Sequence, residues 1–499
     1  MAGSRHGAID GAQTRVTRRG LLRAAAAGGA GLALSGGLAE LIAGALAGGG
    51  PTPPGLPRWR SRPDLRIPAL AVLRDDPAAS RDPIFVAPYN APGGAQAGAV
   101  IADAHGEAIW ENPLADRVTT DFRVQRYRGA PVLTWWEGSI ELGHGVGEYV
   151  IADAAYRPIR RVQAARGLRG DLHEFVVTPQ DTALLTSYVV KDADLSSVGG
   201  PRKGTIQDAI FQEIDLASGR LLLEWHSLDH IPLAESYAPV GADWDYFHIN
   251  SVDLDGDGDL LISGRSTHAL YKIARHSGDI LWRLGGRYGD FTLGAGTQFA
   301  WQHDARRQPD GTLSVFDNGA TPAVEPRSRG LIIAVDEQAM TAGLVHQYTH
   351  PGVLAGSQGS VQLLGNGNVF VGWGEVPRVS EFARDGRLLF DAILGRNYES
   401  YRAFRLPWTG RPADAPALAL GGGPDGAAVA YASWNGATEV SAWQLLAGAG
   451  EHDLRPVLRV AADGFETSLR TPRRAGPSFA VRALDAGGAT LGQSRTVAA

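Results

Sequence analysis

The 499-residue chain has no cysteine. That excludes a thiolate nucleophile, a Cys-ligated metal and any disulfide staple. A chain this long has surface enough to bury and can hold a core without staples, even in an oxidising compartment. No run of Lys or Arg follows the first 25 residues and the net charge is −6, so no nucleic-acid partner is expected. No low-complexity tract is present either: the 65 glycines and 29 prolines are spread along the chain as turn residues. Past Asp82 there is no helical period of any length, only short apolar runs between Gly, Asp and Asn turns.

What stands before that point reads as an address. Thr17-Arg18-Arg19-Gly20-Leu21-Leu22-Arg23 puts paired arginines ahead of an Ala- and Gly-rich apolar stretch, Ala24 to Ala39, closed by Glu40. This is the pattern of a twin-arginine signal peptide, expected over residues 1–47 with Ala45-Leu46-Ala47 as a cleavage site. Residues 48–80, with Pro51-Thr52-Pro53-Pro54, read as a linker. The protein is therefore expected in the periplasm, at the cell surface or outside, touching a membrane only if the signal stays uncleaved.

A repeat sets the fold class. Glu174 to Ser187, Ile249 to Ser263, Asp304 to Phe316 and Gly359 to Trp373 each read as strand, polar turn, strand, with D-G or N-G turns in the last three. Three of these units continue into a further strand, ending at Trp225, Trp282 and Phe390. The starts lie 75, 55 and 55 residues apart, and four strands per period of about 50 residues indicate propeller blades. Residues around Ala104–Trp110 and Asp121–Val162 supply two more units. The expectation is an all-β chain: a six-bladed β-propeller over 81–408, a Pro/Ala-rich connection, and a fibronectin III or Ig-like β-sandwich over 417–497.

Histidines mark the units. His173 precedes Glu174, His248 precedes Ile249 and His303 precedes Asp304, each opening its first strand, so the three are expected to converge on the central channel. Imidazole there can be a nucleophile, a general acid or base, or a metal ligand. Arg265, Arg327 and Arg329 follow His248 and His303. Cations beside imidazoles attract an anion and repel a metal ion, so no metal and no other cofactor is expected. Asp253-Leu-Asp-Gly-Asp-Gly-Asp259 has the look of a calcium loop, but its twelfth position is Gly264, and it fills a hairpin slot.

Phe247-His-Ile-Asn-Ser-Val-Asp253, Leu281-Trp-Arg-Leu-Gly-Gly286, Trp301-Gln-His-Asp-Ala305, Phe316-Asp-Asn-Gly319 and Gly359-Ser-Val-Gln362 together resemble the ordered motifs of the arylsulfotransferase family. The likeness is to its second, shorter branch and spans roughly 80–497, including Ala432-Ser-Trp-Asn-Gly-Ala-Thr-Glu439. The resemblance implies transfer of a sulfuryl group from a phenolic sulfate ester to a phenol, without a nucleotide donor, through a transiently sulfated histidine. By motif it implies His248, His303 and Arg329 as catalytic, with Arg327 a rival for the arginine. His173, Arg265, Asn250, Gln358, Trp244 and Trp301 are taken with them as substrate contacts, the tryptophans stacking on an aryl ring. The next unit opens with Ser357-Gln-Gly-Ser360 and carries no histidine, a departure from the family pattern. The competing expectation is an exported scaffold that binds an anionic or glycan ligand without turnover. A quinone-dependent dehydrogenase propeller would need about eight units and metal carboxylates, and neither is present.

Overall fold

The D-G and N-G turns close the hairpins as their chemistry requires. Gly258, Gly311 and Gly367 sit at φ 93, 87 and 85 at corresponding places in three units, a conformation that costs any residue with a Cβ. The computed structural model describes residues 56–499 except 69, 91–95, 396, 424–427 and 472–474. The twin-arginine segment and the first part of the expected linker lie outside the described residues. Helix among the described residues is confined to Ser227–His230 and three single turns, none long and apolar enough to cross a membrane.

The described residues are all-β, in eight sheets. Six follow one another between Ile84 and Arg405, and each packs its first strands on those of the next. Their innermost strands are Ala403–Arg405, Val118–Tyr127, Phe175–Val177, Ile249–Leu254, His303–Arg307 and Ser360–Leu363. The series closes on itself: Ala403–Arg405, from its far end, pairs with Ile84–Val86 and packs on both Val118–Tyr127 and Ser360–Leu363. Closure through a strand from the opposite terminus leaves no free inner edge.

The remaining two sheets hold Ala417–Gly422, Ala428–Ser433 and Glu466–Arg470 on one side, and Arg455–Ala461, Ala442–Gly448, Ser478–Leu484 and Thr490–Gln493 on the other. Ala430, Ala432 and Leu469 meet Trp443, Leu445 and Val481 in one core between them. This part is tied to the first two sheets: Asn435 Nδ2 donates to the Glu111 carbonyl of the first at 2.9 Å, and the Tyr156 hydroxyl of the second donates to the Gly436 carbonyl at 2.7 Å.

One expectation needs adjusting here. The span read as linker contributes a strand, Ala71–Asp75, which pairs with Leu388–Ile393, and it buries Leu65, Ile67 and Leu70. Its apolar residues are sparse and irregular, so strand periodicity was not visible; an open sheet edge selects the pairing. The Asp253–Asp259 segment is a hairpin turn whose carboxylates are taken by protein cations: Lys272 lies 2.6 Å from Asp257, and Arg307 2.6 Å from Asp255.

Candidate functional site

One repeated hydrogen bond defines which residues correspond around the six sheets. In five of the six inner strands a side-chain oxygen near the start accepts from a backbone N–H in the next: Asp121 from Phe175, Glu174 from Val252, Ser251 from Ala305, Asp304 from Val361 and Ser360 from Ala403. The residues just before these acceptors are Thr120, His173, Asn250, His303 and Gly359, and Tyr401 takes the sixth place before Arg402. His173 and His303 thus share a position, as the repeat indicates. His248 does not: it stands two residues before Asn250, at φ 54, where the strand bulges between Ile249 and Ser251.

Below this ring the axis is filled by a buried ionic cluster. Arg402, fully buried, donates to Asp121 at 2.8 Å and to Glu174 at 3.0 Å, and its Nε lies 3.2 Å from Asp304. Arg306 and Arg123 close on Glu174 at 2.6 and 2.7 Å. Glu174 is held down at about 2, because these guanidiniums outweigh the burial that would raise it. Above the ring opens a cavity of about 470 Å³ lined by His173, His248, His303, Arg265, Gln358, Glu399, Tyr89 and Tyr401, among others.

Each histidine is oriented by a neighbour. His173 Nδ1 lies 2.6 Å from Asp171 Oδ2, and His248 Nδ1 is hydrogen-bonded to Asp245 Oδ2. A carboxylate only accepts, so Nδ1 carries the hydrogen in both rings and Nε2 is left with a lone pair. Neither Nε2 has a hydrogen-bond partner among the described residues. Asp171 is placed by Gly145, whose N–H donates to it at 2.6 Å. A Cβ at Gly145 would come within 2.4 Å of the Leu172 nitrogen, so only glycine permits this approach. Burial raises Asp171, but the His173 charge and hydrogen bond hold it down at about 2. His248 is pushed down to about 4, chiefly by burial.

His303 differs. Its Nδ1 donates to Asn318 Oδ1 at 2.7 Å, and its Nε2 accepts the Gln358 backbone N–H at 3.2 Å. Both nitrogens are spent, and burial together with Arg265 holds the ring well below the ordinary histidine range. Arg265 is the cation of the cavity. Its guanidinium lies 4.9 Å from the Trp301 ring centre and donates to the Gly356 carbonyl at 2.9 Å. The Gln358 amide donates to Glu399 Oε2 at 2.7 Å.

Five of the expected site residues stand outside this cavity. Arg329 is paired directly across the hairpin from Asp317, donates to it from Nε at 2.9 Å, and uses its remaining donors on the Gln298 and Gly296 carbonyls and Gln347. The buried carboxylate inside the F-D-N-G motif needs a cation, and the opposing strand supplies it. Arg327 is exposed on the loop before Arg329. Trp244 is packed in the core of the third and fourth sheets, Asn250 donates to the Gln302 carbonyl at 2.7 Å, and Trp301 serves as the shelf under Arg265. Conversely, the sequence reading passed over Asp171, Asp245, His144, Tyr188 and Tyr401. Asp171-Leu-His173 and Asp245-Tyr-Phe-His248 carried a local signal, since short acidic-to-His spacings let a carboxylate meet Nδ1. His144 and Tyr188 come from the third and second strands of their sheets and carried none.

Residues 123–395 match the family model for arylsulfotransferase (ASST). The chain belongs to the arylsulfotransferase family. In this arylsulfotransferase-family chain the matched span contains all of His144, His173, His248, Arg265 and His303. No curated protein matches its sequence. Solved structures with some likeness include a protein of unknown function from Bacteroides caccae (11% identity, 65% of this chain and 98% of that one, TM-score 0.40). Another is virginiamycin B lyase from Staphylococcus aureus (11% identity, 66% of this chain and 85% of that one, TM-score 0.29).

Proposed function

We propose that this chain is an exported six-bladed propeller with a C-terminal sandwich, and that its cavity transfers a sulfuryl group from a phenolic sulfate ester to a phenol. The observation that carries the reading is the Asp245–His248 pair beside Arg265: an imidazole with Nδ1 anchored and Nε2 unpartnered, next to a cation, in a cavity lined by aromatic rings. His248 Nε2 attacks sulfur, the S–O bond to the aryl group breaks, and the aryl oxygen leaves as phenolate, taking its proton from water. The acceptor phenol then attacks sulfur, the S–N bond breaks, and the phenol proton passes to the free Nε2 of His173, whose ring centre is 4.7 Å from that of His248, and from there to water. Charge on the equatorial oxygens of the loose transition state falls to Arg265, the role first expected of Arg329. His303, with both nitrogens occupied, holds the Gln358 backbone in place. Tyr89 and Tyr401 offer faces to the aryl ring.

The test is turnover of a nitrophenyl sulfate with and without phenol. Transfer is ping-pong: phenol accelerates nitrophenolate release and sulfated phenol accumulates. Aryl sulfate binding without release, in wild-type protein shown to be folded, would make the cavity a recognition site and overturn the reading.

A further inference from the structure

Behind the cavity lining, packed against His248 and His173, lies a further imidazole that the transfer reading does not use. His144 is 8% exposed, its Nε2 lies 3.3 Å from Asp245 Oδ2, and its Nδ1 is buried with no hydrogen-bond partner. Its ring centre is 5.4 Å from that of His248 and 6.2 Å from that of His173, and those two are 4.7 Å apart. We infer that His144, His173 and His248 together bind one divalent ion of the zinc class, and that the bound ion shuts the site to sulfuryl transfer.

The geometry points that way first. Zn–N bonds of about 2.0–2.1 Å on three tetrahedral positions put the ring centres roughly 5 Å apart, the scale seen here. Next comes orientation. Each ring has one nitrogen on a carboxylate and the other unpaired: Asp171 takes His173, and Asp245 takes both His248 and His144. A metal-bound imidazole characteristically gives its second nitrogen to such a carboxylate, which fixes the ring and raises its basicity. Two groups, His144 with Asp171 and His173, and His144 with Asp245 and His248, bring potential ligand atoms within 4.8 Å, a carboxylate completing each, and His144 is common to both.

Charge removes the objection raised by the sequence. Arg327 and Arg329 do not reach the cavity, so one cation, Arg265, faces two carboxylates, Asp171 and Asp245, that the sequence reading had not counted. Three imidazoles without a thiolate suit zinc, copper or nickel over magnesium or calcium. The ion would take the Nε2 lone pair of His248, the atom the transfer reading needs for attack on sulfur, so occupation and transfer exclude each other.

The experiment uses the full chain, stripped with chelator and titrated with Co²⁺ as a spectroscopic probe. One Co²⁺ per chain is expected, with a tetrahedral-type visible spectrum bleached by one equivalent of Zn²⁺. His144→Gln should weaken binding by about 100-fold as a lost ligand. Asp171→Asn should weaken it by about 10- to 100-fold as a lost outer partner. Circular dichroism and thermal melting identify any variant that fails to fold, and the Asp171 variant then carries the comparison. No stoichiometric Co²⁺ spectrum, or affinity unchanged in both folded variants, overturns the site. Turnover of nitrophenyl sulfate separates the two readings. Activity in chelator that Zn²⁺ abolishes supports the shut state, and activity that chelator abolishes overturns it. Metal binding without turnover under either condition leaves the site standing and sinks the transfer reading alone.

Discussion

Asp245 and His248, three residues apart, are joined at Nδ1, and the bond leaves the far nitrogen of the ring unpartnered among the described residues. Asp245→Asn keeps the shape but can also donate, so it no longer imposes the tautomer. Nitrophenolate release should fall by roughly 100- to 10,000-fold, near the loss for His248→Ala, and the double variant should lose little more. Steady-state rates of the three variants check this. An Asp245→Asn enzyme as fast as wild type would remove His248 from the chemistry.

Arg265 and Arg329 should separate cleanly in kinetics and stability. Arg265→Gln should lower kcat by about 10- to 1,000-fold, since the transition state carries more charge on its oxygens than the bound ester. Arg329→Gln should leave kcat of the folded enzyme near wild type but cost about 3–5 kcal/mol of stability, because Asp317 is left buried and unpaired. Denaturant melts beside turnover assays decide. A kcat collapse in Arg329→Gln with normal stability would restore the arginine that the family motif implies.

Arg402 closes the axis against Asp121, Glu174 and Asp304. Arg402→Met strands three buried carboxylates with only Arg123 and Arg306 near them, so a loss of about 3–5 kcal/mol or more is expected. Chemical denaturation measures it. A variant as stable as wild type would mean the cluster is not what holds the inner strands together.

His268 lies between Tyr237, stacked at 4.2 Å, and Trp301, edge-on at 4.4 Å. It is pushed down to about 4 by burial first and by Arg265 and Arg287 next. The native state therefore binds fewer protons than the unfolded chain below about pH 6.5, and this site's contribution to stability falls as pH drops from there toward 4. The slope is at most about 1.4 kcal/mol per pH unit. His268→Gln should flatten the stability profile in that window, read by urea melts at successive pH values. An unchanged slope would place the acid sensitivity elsewhere.

The all-β class, the hairpin units and the family were legible in the sequence, because turn chemistry and alternating strands are local and repeat every blade-length. So was the shared position of His173 and His303, whereas His248 reaches the same cavity from two residues earlier in its strand. What the chain alone could not show was register and direction. His248 stands two residues from the ring position of its strand, and cross-strand pairing sends Arg329 to Asp317, as two strands meet only after folding. His144 joins the site from a strand with no repeat signature, and Asp171 and Asp245 act through contacts that depend on ring rotation. Sequence determined which residue types lie near the axis; tertiary packing decided which nitrogen of each imidazole stays unpaired, because that depends on hydrogen bonds between strands far apart in the chain.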